Sequence, residues 1–121
     1  GFCFGGKTVL ELARSGADLA GVVSFHGGLD TTMPAQSGML KTSVLVLNGA
    51  DDTYVPAAQI AGFESEMKEA GADWQFVNFS GAVHCFALES AKSPPGCVYN
   101  ERAAKRATTM MNQFFFERFG G

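Results

Sequence analysis

Three short, nearly continuous apolar runs constrain this chain more than any other feature. They are residues 19–25 (Leu-Ala-Gly-Val-Val-Ser-Phe), 43–48 (Ser-Val-Leu-Val-Leu-Asn) and 74–79 (Trp-Gln-Phe-Val-Asn-Phe). Runs without polar alternation suit strands buried on both faces, as in a parallel sheet. Helical patterns separate them. Residues 7–15 carry Val9, Leu10, Leu12 and Ala13 on one face, with Gly16 as a stop. A second helix runs from Pro56, whose missing N–H is not needed in a first turn, to about Ala70. Its stripe is Ile60, Phe63, Met67 and Ala70, and Gly71 ends it. A third spans about 100–119 and turns Ala103, Ala107, Met110, Met111, Phe114 and Phe115 inward, with one ring of the 114–116 stretch left exposed. Residues 26–42, 49–56 and 80–98 hold glycines and prolines and read as connections.

Buried strands alternating with helices predict an α/β fold, a mostly parallel sheet of about three strands flanked by helices, in one domain over 1–121. Such a small sheet should leave an unpaired edge beside the strand at 19–25, through which a homo-oligomer would form. The chain opens at Gly1 on what reads as the middle of a domain, so the expectation is a piece of a longer protein.

Composition narrows the function classes. The net charge is −3 and no Lys/Arg cluster occurs, which argues against nucleic acid or anionic membrane as partners. No apolar run is long enough to span a membrane and no leader pattern is visible. The three cysteines, at 3, 85 and 97, are odd in number and lack framework spacing, and reduced thiols in a cytoplasmic protein are the simpler expectation. No spacing suggests a structural metal site.

Three segments carry chemistry. Gly1-Phe2-Cys3-Phe4-Gly5-Gly6 has the form Gly-x-nucleophile-x-Gly at a helix start. There a strained turn aims the side chain outward, and small residues two positions away on each side let the chain pass. The helix N-terminus favours a thiolate at Cys3. Asp51 and Asp52 follow the run at 43–48, and His84 follows the run at 74–79. Both lie at carboxyl ends of strands, where ligands bind in open α/β sheets. A carboxylate there can hold the tautomer of a histidine. Each feature alone has a plain explanation, as a glycine turn, a loop aspartate or a loop histidine. Their order, Cys…Asp…His, is that of α/β-hydrolases.

Together with Gly49-Ala50-Asp51-Asp52-Thr53-Tyr54-Val55-Pro56, Gly81-Ala82-Val83-His84-Cys85-Phe86, Ser24-Phe25-His26-Gly27-Gly28 and Tyr99-Asn100-Glu101, the elbow resembles the dienelactone hydrolase family over nearly all of this chain. The match corresponds to about the second half of a family member. The resemblance implies a partial α/β-hydrolase fold and hydrolysis of a small-molecule ester or lactone without cofactor or metal. Cys3 would be the nucleophile, His84 the base, and Asp52 the acid, since it lies four residues before the Pro of Val55-Pro56. The Phe4 N–H would be one oxyanion donor, with a second expected upstream of Gly1, and Tyr54, His26 and Phe86 would contact substrate.

His26 is expected at the rim of the site. Leu88 stands where an arginine would bind the dienelactone carboxylate, so the substrate need not be anionic. Cys85 is expected to be a pocket thiol near Cys3, and Cys97 structural. Two other readings stay open: an α/β module that turns nothing over, and a thiol redox protein using Cys3 and Cys85.

Overall fold

The computed structural model describes residues 1–120. Helix α1 (Phe4–Arg14) leads to strand β1 (Gly21–Phe25). Strand β2 (Ser43–Gly49), helix α2 (Ala57–Ala70) and strand β3 (Trp74–Phe79) follow. A small hairpin of β4 (Lys92–Ser93) and β5 (Cys97–Val98) then precedes helix α3 (Glu101–Arg118). The main sheet has the order β1-β2-β3 and is parallel throughout, with Val23 opposite Leu45 and Val46 opposite Phe76. This is the expected α/β architecture.

The apolar runs bury both faces because side chains alternate along a strand. Val22, Val44 and Val46 point to one side, into a core with Leu10, Phe63 and Met67 of α1 and α2. Val23, Phe25, Leu45 and Leu47 point to the other, against Phe79, Phe86 and the Ala103–Ala107 face of α3. Each fully buried large side chain, such as Phe63 or Phe86, contributes about 1.5–3 kcal/mol. On α3 the alanines approach the sheet closely, while Met110, Phe114 and Phe115 are half-buried and Phe116 is exposed.

The caps explain the boundaries. Pro56 sits just outside α2 as its N-cap, and Gly71 closes that helix in the left-handed conformation at φ 69°. The Asn100 side chain accepts from the Ala103 N–H at 3.1 Å and starts α3. Helix α1 begins three residues earlier than the apolar pattern indicates, because the elbow turn feeds straight into it.

The edge of β1 departs from expectation. Gly1–Cys3 run alongside it. The Gly1 nitrogen donates to the Val23 carbonyl at 2.8 Å, the Phe25 N–H to the Gly1 carbonyl at 2.9 Å, and the Cys3 N–H to the Phe25 carbonyl at 3.0 Å. These residues pair the carboxyl half of that edge and place Cys3 beside the end of β1. No described helix is long and apolar enough to cross a membrane.

Candidate active site

Cys3 occupies the turn between this short pairing and α1, with φ 51° and ψ −117°. Left-handed backbone at a non-glycine residue is strained and needs surrounding structure to hold it. The glycines doing so are Gly1 and Gly6. A Cβ on Gly1 would collide with the Gly5 carbonyl, and one on Gly6 with Ser24 Oγ and the Gly27 Cα. Gly5 faces open space, so the crowded glycine after Cys3 is the third residue on, not the second. Gly6 is needed because α1 crosses β1 at contact distance.

The other two segments are brought together at Gly49. A Cβ there would lie 2.6 Å from the Ala82 carbonyl oxygen, so the loops after β2 and β3 touch only because the side chain is absent. The Asp51 N–H donates to that same carbonyl at 2.9 Å. This pairing turns Asp52 inward and leaves Asp51 exposed. The buried Asp52 carboxylate has both oxygens engaged. Oδ1 accepts from the Tyr54 N–H at 2.8 Å, and Oδ2 lies 2.8 Å from His84 Nδ1. A ring nitrogen of the half-buried His84, Cys3 Sγ and Cys85 Sγ all fall within 4.8 Å of one another. The structure therefore gathers Cys3, Asp52 and His84 at the carboxyl edge of the sheet.

The remaining expected residues divide. The Phe4 N–H opens α1, where a helix has no internal acceptor for it, and its ring is exposed. Tyr54 is exposed, with its ring centroid 4.7 Å from that of His84. His26 is not at a rim. It is fully buried, at φ 44°, with Nδ1 3.3 Å from Cys3 Sγ. Burial first, then the charge of His84, push its pKa down to about 4, so it is neutral at pH 7. Phe86 has no exposed surface either. It stands behind His26 at 5.1 Å between ring centroids and packs on Phe79, because the chain turns inward after Cys85. It supports the site and cannot contact a substrate directly.

The expectation of three reduced thiols is overturned. Cys85 and Cys97 form a disulfide, and Cys3 alone is free. The hairpin brings them together, since Cys97 bridges to the backbone of His84 and the Val98 N–H donates to the His84 carbonyl at 3.2 Å. The turn-forming run Ser93-Pro94-Pro95-Gly96 was the available signal, because it folds the chain back just before Cys97. With Cys85 tied up in this way, only Cys3 and His84 of the cluster of Cys3, His84 and Cys85 keep a free ligand atom. Burial and then the charge of Asp52 raise the Cys3 pKa, so its resting form is the thiol.

An α/β sheet with a cysteine elbow, a buried aspartate and a histidine at its carboxyl edge defines a class of fold and site. The chain belongs to the dienelactone hydrolase family, whose model matches residues 1–119. A dienelactone hydrolase-like promiscuous phosphotriesterase from metagenomic libraries is 44% identical, with a TM-score of 0.87 over 94% of this chain and 49% of that one. The solved structure m3DLH is 39% identical, with a TM-score of 0.90 over 97% of this chain and 50% of its own. A carboxymethylenebutenolidase homolog of Mus musculus is 26% identical over 94% of this chain and 47% of its own length. The chain thus spans about half the length of the relatives it matches.

Proposed function

We propose that this chain carries the nucleophile, acid and base of a carboxylic-ester or lactone hydrolase. The observation behind the proposal is the 2.8 Å contact between His84 Nδ1 and Asp52 Oδ2, in a cluster that also holds the Cys3 sulfur. With Nδ1 committed to the carboxylate, Nε2 of His84 is left to take the Cys3 proton. The thiolate attacks the substrate carbonyl carbon, and a C–S bond forms as the carbonyl becomes an oxyanion. The Phe4 N–H donates to that oxyanion. Collapse expels the alcohol, which takes the proton from His84. Water, deprotonated by His84, then adds to the thioester carbonyl; collapse breaks the C–S bond, releases the acid and returns the His84 proton to the Cys3 sulfur.

In the resting state the Cys3 sulfur lies 3.3 Å from Nδ1 of neutral His26, within hydrogen-bond reach. Tyr54 forms an exposed aromatic wall next to His84 that suits an aryl or planar unsaturated substrate. Leu88 supplies no cation at the position it holds, so neutral esters are the favoured class. An aryl phosphotriester is a second electrophile that the same thiolate would attack, in keeping with the 44% identical relative.

Iodoacetamide should label Cys3 and abolish p-nitrophenyl ester turnover together. Equal turnover by a Cys3→Ala variant would remove the proposal in favour of a module that does no chemistry.

A further inference from the structure

The candidate hydrolase leaves one cluster unused: the disulfide beside its nucleophile. Cys85 Sγ lies 4.0 Å from Cys3 Sγ, about the contact distance of two sulfur atoms, and is itself bonded to Cys97. Among the described residues, three that are not glycine have positive φ, namely Cys3, His26 and Cys85. Two of them carry these sulfurs, and the third lies against Cys3. Strained backbone of this kind clusters at reactive sites and switch regions. Cys3 is partly open to solvent, whereas Cys85 is buried, so the sulfur best placed to attack Cys85 is that of Cys3.

We infer that Cys3, Cys85 and Cys97 form a thiol–disulfide exchange centre, in which Cys3 becomes reversibly bonded to Cys85 and is thereby masked. The Cys3 thiolate attacks Cys85 Sγ. The Cys3–Cys85 bond forms as the Cys85–Cys97 bond breaks, and Cys97 leaves with the electron pair as a thiolate. The proton shed by Cys3 passes through solvent or His84 to Cys97. One disulfide and one thiol are present before and after, so no external oxidant or reductant is consumed. The hairpin stays attached when the bond moves, because the Val98 N–H to His84 carbonyl bond and the Tyr99 N–H to Ala91 carbonyl bond hold it. Reversal is therefore intramolecular as well. The exchange requires only that Cys3 be a free thiol and does not depend on its role in ester hydrolysis.

The chain suits a direct test, because trypsin leaves the three cysteines in separate peptides, 1–7, 69–92 and 93–102. The folded protein, prepared without reductant and held at pH 8, is quenched in acid. Free thiols are blocked with N-ethylmaleimide, and the unreduced digest is mapped by mass spectrometry. The expected result is two linked species: 69–92 joined to 93–102 with peptide 1–7 blocked, and 1–7 joined to 69–92 with peptide 93–102 blocked. A Cys3→Ser variant should lose the second species and all blocking of Cys97. A map in which Cys97 is never blocked while Cys3 always is would overturn the inference, as would a map with all three thiols blocked. Finding the exchange in a chain whose Cys3→Ala variant keeps full ester turnover would leave this inference standing and remove the hydrolase proposal. The reverse pair of results would do the opposite.

Discussion

His26 Nδ1 lies 3.3 Å from the sulfur of Cys3, while the other ring nitrogen, Nε2, is buried with no hydrogen-bond partner among the described residues. A fully enclosed imidazole with one orphaned nitrogen is costly to charge. Its pKa of about 4 in the fold compares with about 6.5 in an unfolded chain. Between those values the unfolded chain binds a proton that the folded chain does not. The stability His26 contributes is therefore complete above pH 6.5 and is lost as pH falls toward 4, by up to about 3 kcal/mol. Urea midpoints should fall over that window, and a His26→Asn variant, whose side chain tolerates the positive φ, should show a flatter decline. Parallel profiles for the two proteins would refute this account.

Cys3 makes the opposite prediction for reactivity. Burial and the Asp52 charge favour its neutral form, so the thiolate fraction should rise with pH through and above the ordinary thiol range. The iodoacetamide rate at Cys3 should climb steadily from pH 7 to pH 10. A rate already level below pH 7 would mean that a thiolate–imidazolium pair rests there instead.

The sheet was legible in the sequence because uninterrupted apolar runs such as 43–48 have few other homes in a chain of this size. The positions of Cys3, Asp52 and His84 at strand ends were legible for the same reason, since each follows a run or opens a helix. The depth of His26 was not, because what buries it is Phe86, sixty residues away in the chain, and the rings of Phe25 and Phe2. The start of α1 is not legible, because Phe4-Gly5-Gly6 has poor helix propensity and the elbow overrides it. The hairpin strands are not legible, because two residues carry no periodicity, and only the turn at Ser93-Pro94-Pro95-Gly96 marks them. The Cys85–Cys97 bond escaped a count of cysteines because an odd total says nothing about which two meet.

Away from the site, Arg14 ties α1 to α2. Its guanidinium is buried and takes Glu66 in two bonds of 2.8 and 2.9 Å, with the Leu29 carbonyl at 2.9 Å and Glu11 alongside. The Ala35 N–H also donates to Glu66, so one carboxylate anchors the long connection after β1. A Glu66→Ala variant leaves a buried cation short of its partner and should lose about 3–5 kcal/mol in urea unfolding. Replacing Arg14 and Glu66 together with Met and Leu should cost much less. If the double variant is the weaker protein, the pair is worth more than its desolvation.

Asp52 is expected to matter more for rate than for folding. In an Asp52→Asn variant the side-chain oxygen can still accept from the Tyr54 N–H, while the amide no longer accepts the proton on His84 Nδ1. The ring then favours the wrong tautomer, and kcat/KM for a p-nitrophenyl ester should fall on the order of 10³–10⁴-fold. A loss under tenfold, with the urea midpoint unchanged, would remove Asp52 from the mechanism.

Gly27 offers a test of how tightly the elbow is built. A Cβ on it would lie 2.6 Å from Ser24 Oγ, 2.8 Å from the Lys7 nitrogen and 2.9 Å from the Gly6 carbonyl carbon. Ser24 can rotate away, but the other two atoms are the backbone of α1, and they yield only if the helix moves off β1. That motion carries Cys3 with it, because Cys3 caps the same helix. Gly27→Ala should therefore cost about 1–3 kcal/mol of stability and slow Cys3 alkylation in the folded protein. Gly62, exposed in the middle of α2 with nothing within 4 Å of a Cβ, is the matched control. Gly62→Ala should instead add about 0.4–1 kcal/mol, by restricting the unfolded chain, and leave alkylation unchanged. Equal stability for the two variants would mean that α1 can shift on the sheet without penalty.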